Sequence, residues 1–214
     1  GGHLVRHLVS MGFEVVVIDD LSTGQRSNLE GIGQGSVDLL EGTVGELLTQ
    51  TMSSHDFAAI YHLAAAVGVK LVVDEPIHCI ENNVHETSVL LSEAARADIP
   101  VLLASTSEIY GKSEAVPFSE GDDVVYGSSL EPRWSYAYSK AIDEHLALAW
   151  HRSAGLHVVI ARFFNTVGPR QRGRWGMVLP RFVRCALSGE PLMVHGDGLQ
   201  SRCFCDVRDV VPVL

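Results

Sequence analysis

Tyr136 and Lys140 stand four residues apart in Tyr136-Ala137-Tyr138-Ser139-Lys140. Residues at i and i+4 share one face of a helix, so both side chains can enter one pocket. An ammonium beside a phenol favours the phenolate and draws its pKa down from about 10 toward the working range. Tyr136 is therefore a candidate general base or acid for moving a proton on or off an alcohol oxygen. Tyr and Lys at this spacing are common on helices by chance, and a half-buried Tyr beside a surface Lys is the plain alternative. The surroundings of the pair decide between the two.

Those surroundings are set by the apolar pattern. Phe13 to Ile18, ending at Asp19-Asp20, reads as a buried strand, and so do Phe57–Leu63, Val101–Ser105 and His157–Phe164. Helix-period stretches lie at about 2–11, 82–97 and 136–153. Near-continuously apolar strands separated by helices indicate an α/β fold, a doubly wound parallel sheet covered on both faces. Ligands in such sheets gather at the carboxyl ends of the strands. Asp19 stands at one such end, where a carboxylate can accept both ribose hydroxyls of an adenosine and repel a 2′-phosphate. A loop-forming Asp is the alternative there. Beyond Phe164 the pattern changes. Gly168-Pro169-Arg170 opens a Gly- and Arg-rich loop, an amphipathic stretch runs from Met177 to Leu187, and Pro191–His195 reads as a short strand. This change divides the chain into a domain over 1–165 and the start of a smaller one over 166–214.

Composition narrows the function classes. The 214 residues are 46% hydrophobic and 20% charged, with a formal net charge of −10. That balance argues against general affinity for nucleic acid or an anionic membrane, while leaving room for one small anion held by local Arg residues. No apolar run approaches the roughly 18 residues of a membrane span and no signal peptide is visible, so a cytoplasmic protein is expected. The four cysteines, Cys79, Cys185, Cys203 and Cys205, have no second Cys pair or His pair at ligand spacing. They read as reduced structural residues, and no metal is expected.

Ser105-Thr106-Ser107-Glu108-Ile109-Tyr110-Gly111 leaves a strand end ahead of the Tyr-x-x-x-Lys pair. Together they resemble the extended short-chain dehydrogenase/reductases, the NAD-dependent nucleotide-sugar epimerases, dehydratases and decarboxylases. The resemblance runs through Asp19-Asp20-Leu21-Ser22-Thr23-Gly24, His62-Leu63-Ala64-Ala65, Asn82-Asn83-Val84 and Arg162-Phe163-Phe164-Asn165-Thr166-Val167-Gly168-Pro169-Arg170. Gly196-Asp197-Gly198, Arg202 and Asp209 carry it to the end. It implies a Rossmann-like sheet whose first strand and first glycines precede this sequence, with Gly1 matching the third glycine of the phosphate-binding turn. The substrate domain would likewise continue past Leu214.

By the same resemblance, Gly1, Asp19, Asp20, Ser22, Leu63, Ala64, Ala65, Asn83, Tyr136 and Lys140 would hold NAD. Thr106 would bond the reacting sugar hydroxyl beside Tyr136, and Asn165 would touch the substrate. Arg202 would meet the nucleotide diphosphate, whose geometry suits a guanidinium fork. His195 would stack on the base, with a surface His as the alternative, and Leu179 with Pro180 would frame it. The implied partners are a UDP-sugar and a second copy of the chain, paired through the helices at 82–97 and 136–153. Three departures stand out: Thr43 where an Asp commonly meets the adenine amine, Glu86 where Gly is usual, and Asp206 in place of a frequent His.

All branches would begin with Tyr136 taking the C4 hydroxyl proton. Ser107 replaces the Asp of the 4,6-dehydratases, and a hydroxyl is too weak an acid for that role. Thr106-Ser107-Glu108 and Pro132-Arg133-Trp134-Ser135-Tyr136 resemble the UDP-glucuronate decarboxylases, which would give Glu108 a catalytic part. The Asp-Asp-Leu-Ser-Thr-Gly and Asn-Asn-Val stretches are closer to UDP-hexose 4-epimerases, and epimerisation is the first reading. Decarboxylation is the second. A non-catalytic NAD-binding Rossmann fragment is the third.

Overall fold

The apolar run after residue 13 becomes β1, Val15–Asp19, paired in parallel with β2, Val37–Glu41. The computed structural model describes residues 1–33, 35–66, 68–173 and 177–214. α1, Gly2–Ser10, precedes β1, and α2, Val44–Ser54, follows β2. Next come β3, Ile60–His62, α3, Val69–Asp74, and α4, Pro76–Ala97. β4, Val101–Thr106, α5, Ser135–Ala154, and β5, Val158–Phe163, complete a three-stranded sheet with β4 at its centre. Leu103 lies level with His62 on one side and Ile160 on the other. All these pairings are parallel, and each needs a crossover to return the chain to the same end of the sheet: α3 with α4 supplies it for β3–β4, α5 for β4–β5, and a loop with one 3-10 turn at Arg26–Leu29 for β1–β2.

β1–β2 and β3–β4–β5 are separate hydrogen-bonded sheets that share one core. Val44 and Leu48 of α2, Leu90, Leu91 and Ala94 of α4, Val101 and Leu103 of β4 and Ala147 of α5 form its centre. Ile18 of β1 and Ile60 of β3 both pack against it. The reverse side of β5 is thinner, with Val159 63% exposed. β6, Asn165–Val167, pairs in parallel with β7, Phe204–Asp206. Between them runs α6, Val178–Ser188, and α7, Val207–Val210, follows β7.

The expected elements formed with two corrections. Pro191–His195 is not a strand: the segment is exposed and joins no ladder, and an extended run without a partner leaves its backbone to water. The helix expected at 82–97 begins earlier, at Pro76, where the missing N–H costs nothing in a first turn. α4 then stops at Asp98 and α5 at Gly155, both left-handed, with φ of 55° and 74°. The four cysteines are free thiols, and Cys79 is buried.

Leu103 is fully buried at the centre of the three-stranded sheet. Leu103→Ala is expected to lower the unfolding free energy by about 3 kcal/mol, read from urea midpoints. A loss under about 1 kcal/mol would mean that β4 is not packed in this way.

Candidate active site

α5 meets the sheet through a polar face. Tyr136, Lys140, Asp143, Glu144 and Ala147 follow the helical repeat, and the last four are buried. Glu144 is fixed by three donors: Arg162 Nε at 3.0 Å on Oε1, Arg162 Nη2 at 2.7 Å on Oε2, and the Ser105 hydroxyl. The Arg162 guanidinium also lies over the Tyr110 ring, 5.0 Å from its centroid. These contacts join β4, β5 and the turn Ser107–Tyr110 to one side of α5.

Tyr136 reaches the carboxyl end of β4, where its phenol lies close enough to the Thr106 hydroxyl for that hydroxyl to favour its charged form. The Thr106 hydroxyl also accepts from the Glu108 backbone N–H at 3.2 Å, capping the turn that follows. So Tyr136, Thr106 and Glu108 are brought together. Lys140 departs from expectation. Its ammonium donates to Asp143 Oδ2 at 2.8 Å rather than to the phenol. Burial pushes the Tyr136 phenol up to about 12, against the nearby Thr106 hydroxyl, and the Glu108 and Asp143 carboxylates add to the rise. The expected lowering by an adjacent ammonium is replaced by its opposite: burial dominates, and the Lys140 ammonium that could offset it is turned to Asp143.

The cofactor candidates sit on the neighbouring strand ends. Asp19 Oδ1 accepts from the Leu21 N–H at 2.8 Å, and Asp20 Oδ1 accepts from the Ser22 N–H and hydroxyl. Each turn is held by one carboxylate oxygen, so turn formation and ribose binding through the second oxygen are compatible. Asn83 is 2% exposed and clamps the Leu63–Ala65 loop: its Oδ1 accepts from the Ala66 N–H, and its Nδ2 donates to the Ala66 carbonyl and the Ser139 hydroxyl. Asn83 is thus spent on shaping the loop. Gly1 lies in a cleft with His3, Thr166, Gly168, Arg170 and Val207. Carboxylates for ribose hydroxyls, a shaped backbone loop and a buried ammonium are a donor set that fits a dinucleotide.

The expected substrate contacts lie apart from this group. Asn165 Nδ2 donates to the Cys203 carbonyl at 2.9 Å, which ties β6 to the approach of β7. Leu179, His195 and Arg202 are exposed, and Arg202 donates to its neighbour Ser201. No hydrogen bond among the described residues links any of the four to Tyr136. The three departures have local roles. Thr43 caps α2 in a capping box with Glu46, Glu86 accepts from the Gly45 N–H at 2.7 Å, and Asp206 caps α7 through the Arg208 N–H.

Sequence reasoning missed Asp143, Glu144, Ser105, Thr87 and the role of His62. His62 Nε2 lies 3.0 Å from the Thr87 hydroxyl, beneath the Lys140–Asp143 pair. The available signal was the spacing of Asp143 and Glu144 from Tyr136, at i+7 and i+8 on its helix face.

Over residues 1–214 the chain matches the model of a family described as NAD dependent epimerase/dehydratase. It is 39% identical over 214 residues to the UDP-N-acetyl-alpha-D-glucosaminuronate decarboxylase of Bacillus cytotoxicus, covering 99% of this chain and 65% of that one. It is 36% identical over 212 residues to UDP-glucuronic acid decarboxylase 1 of Xenopus tropicalis, covering 99% of this chain and 49% of the other. The chain therefore spans 65% and 49% of the lengths of these two curated relatives. Among solved structures, the UDP-N-acetylglucosamine 4-epimerase from Methanobrevibacter ruminantium, in complex with UDP-N-acetylmuramic acid, superposes with a TM-score of 0.89 at 30% identity. That match covers 99% of this chain and 67% of the epimerase.

Burial, with the Lys140 charge adding to it, pulls the His62 imidazole down from 6.5 to about 3. The unfolded chain takes up this proton below about 6.5 and the folded chain does not. Stability from this residue is therefore level above that pH and falls toward pH 3, by at most about 1.4 kcal/mol per unit. Urea unfolding between neutral pH and about 4 is expected to show a shallower acid loss for His62→Gln than for the unmodified chain. Equal slopes would show that His62 takes its proton in the fold.

Proposed function

Because the chain belongs to the NAD dependent epimerase/dehydratase family, we propose that Tyr136, Thr106 and Lys140 serve the C4 oxidation of a UDP-hexose or UDP-hexuronate, completed as a 4-epimerisation. The observation that carries this is the meeting of the Tyr136 phenol with the Thr106 hydroxyl and Glu108 at the carboxyl end of β4. NAD, when bound, supplies the hydride acceptor. Asp19 and Asp20 would hold its adenosine ribose and Lys140 its nicotinamide ribose. Thr106 orients the C4 hydroxyl, and Tyr136, as its phenolate, takes that proton as C4 is oxidised. Epimerisation then needs room for the 4-keto sugar to turn, after which the hydride would return to the other face of C4 and Tyr136 would give its proton back to the oxygen. Ser107 has no acidic proton for a leaving hydroxyl, which disfavours dehydration.

Glu108 favours a second reading, decarboxylation of a UDP-hexuronate. Oxidation at C4 places the C6 carboxylate β to a ketone, and carbon dioxide can then leave through an enolate. A carboxylate at Glu108 would crowd the substrate's own carboxylate and ease its loss. The two curated relatives named above are decarboxylases, which supports this reading, and the solved epimerase supports the first. Relatives with these activities are enzymes, and they leave the non-catalytic reading without support.

The proposal extends to a homodimer. α4 and α5 pack side by side and leave Ile77, Ile80 and Ile142 exposed at 71%, 42% and 46%, an apolar stripe suited to a second copy. No helix of the described residues is long and apolar enough to cross a membrane.

Incubation with NAD⁺ and UDP-glucose, UDP-glucuronate or UDP-N-acetylglucosaminuronate, with products followed by mass and stereochemistry, tests the reaction. An unchanged mass with an inverted C4 supports epimerisation. Loss of carbon dioxide replaces it with the second reading, and Glu108→Gln should then slow that step selectively. Tyr136→Phe is expected to lower either activity about a hundredfold or more; retained activity would remove Tyr136 from the chemistry. For the dimer, light scattering should give twice the chain mass and Ile77→Glu should halve it. A monomeric unmodified chain would end that part of the proposal.

A further inference from the structure

Of the pair beneath Tyr136, Lys140 has a part in the proposed chemistry and Asp143 has none so far. Lys140 and Asp143 have side chains 2% and 0% exposed, with the ammonium 2.8 Å from Oδ2. Two charges taken this far from water cost several kcal/mol each before their attraction offsets it. A pair serving only to link neighbouring turns could sit at the surface without that cost.

Its geometry gives the ammonium a choice. Tyr136 lies one turn before Lys140 on the same face of α5, and Asp143 lies just under one turn after it. Lys140 points forward, to Asp143. The other groups around the pair are few. β3 contributes His62, whose imidazole is held neutral well below the usual His range. α4 contributes the Thr87 hydroxyl, shared between His62 and the carboxylate. α5 contributes Glu144, already engaged by Arg162, and the turn after β4 contributes Glu108. Asp143 Oδ1 is buried without a hydrogen bond of good geometry, although Thr87 lies close enough to favour its charged form. Burial raises the Asp143 carboxyl above the usual range, against the pull of Lys140. So Asp143 is a strained partner, held charged chiefly by the ammonium it faces.

We propose that Asp143 is a positioning residue that competes with Tyr136 for the Lys140 ammonium, and so governs how readily Tyr136 gives up its proton. When Lys140 faces Asp143, the phenol has a carboxylate at the back of its site and no cation beside it. When the pair loosens, the ammonium turns one helical step back toward the phenol and the same site holds a phenolate. The inference deepens the reading of Tyr136 as the proton acceptor and rests on it.

Asp143→Asn keeps the shape of the side chain and removes its charge. Ultraviolet difference titration against matched Tyr136→Phe chains isolates the phenolate of this one tyrosine. In the Asp143→Asn variant that step is expected at least about one pH unit below its position in the unmodified chain. Lys140→Met added to Asp143→Asn should send the step back up by a similar amount, which a purely structural role for Asp143 would not do. Thr87→Val, nearly isosteric, is the second variant: it withdraws one hydroxyl from the Asp143 carboxylate, which then depends more on Lys140, and should raise the step by a smaller amount. A step that stays in place or rises in Asp143→Asn, or that stays in place or falls in Thr87→Val, overturns the proposal. The titration needs neither cofactor nor sugar. A chain inactive on every UDP-sugar would therefore sink the proposed reaction, while an unmoved tyrosine in an active enzyme would sink the role of Asp143 alone.

Discussion

Glu144 lies beneath α5 where a carboxylate stays charged only if its lone pairs are met, and Arg162 and Ser105 meet them. The three residues come from α5, β5 and β4, so one buried cluster fixes the rotation of the helix about its own axis and its height above the sheet. The rest of the site follows from that setting. Ser105 is the residue before Thr106, and Glu144 stands two turns beyond Tyr136 on the same face. A helix pinned at Glu144 delivers Tyr136 to the end of β4. The fork of a guanidinium against a carboxylate is directional, which makes it better suited to this purpose than apolar packing alone.

The adjoining acid, Asp143, makes a different use of the same helix. Consecutive residues on a helix point about 100° apart. Asp143 therefore faces α4 and β3 while Glu144 faces β4 and β5, and each has its own cation. Both pairs are neutral in sum, and His62 adds no charge beneath them. The two pairs thus bring three ionisable groups of α5 and one of β5 together, an arrangement in which losing any one member leaves its partner unmatched. The Glu144 pair is tightened by a third donor and reads as fixed. The Asp143 pair carries an oxygen short of a partner, and it is the one placed next to the reacting tyrosine.

How much of this could be read from the sequence depended on which physical signal each part leaves. Helix spacing made Tyr136 and Lys140 legible as one face, and the family resemblance pointed to Thr106, but that Lys140 would turn to Asp143 was not legible. The strands at β1, β4 and β5 were legible as unbroken apolar runs. β2 and α2 were not, since five residues with two acids show no period and a capping box gives only one end of a helix. Asp143 was hidden for a different reason. A Lys and an Asp three apart on a helix usually mark a solvated surface pair, and only tertiary packing makes this one interior. Of the departures Thr43, Glu86 and Asp206, only the first bore on an expected contact, that to the adenine amine. Each satisfies a backbone N–H at a helix start, a function visible only once the helix ends are located. The apolar run at Pro191–His195 misled because β-propensity without a neighbouring strand has nothing to pair with.

One shared footing carries both ends of the site. Ile18 of β1 and Ile60 of β3 rest on the same cluster, built from α2, α4 and the centre of β4. Asp19 follows Ile18 directly, and Thr106 ends the strand that contributes Leu103. Dispersion contacts are individually small and collectively large, so a void opened in this cluster is felt along every strand that touches it. A substitution at Leu91, far from any reacting atom, would therefore disturb the residues expected at the adenosine and those expected at the sugar together.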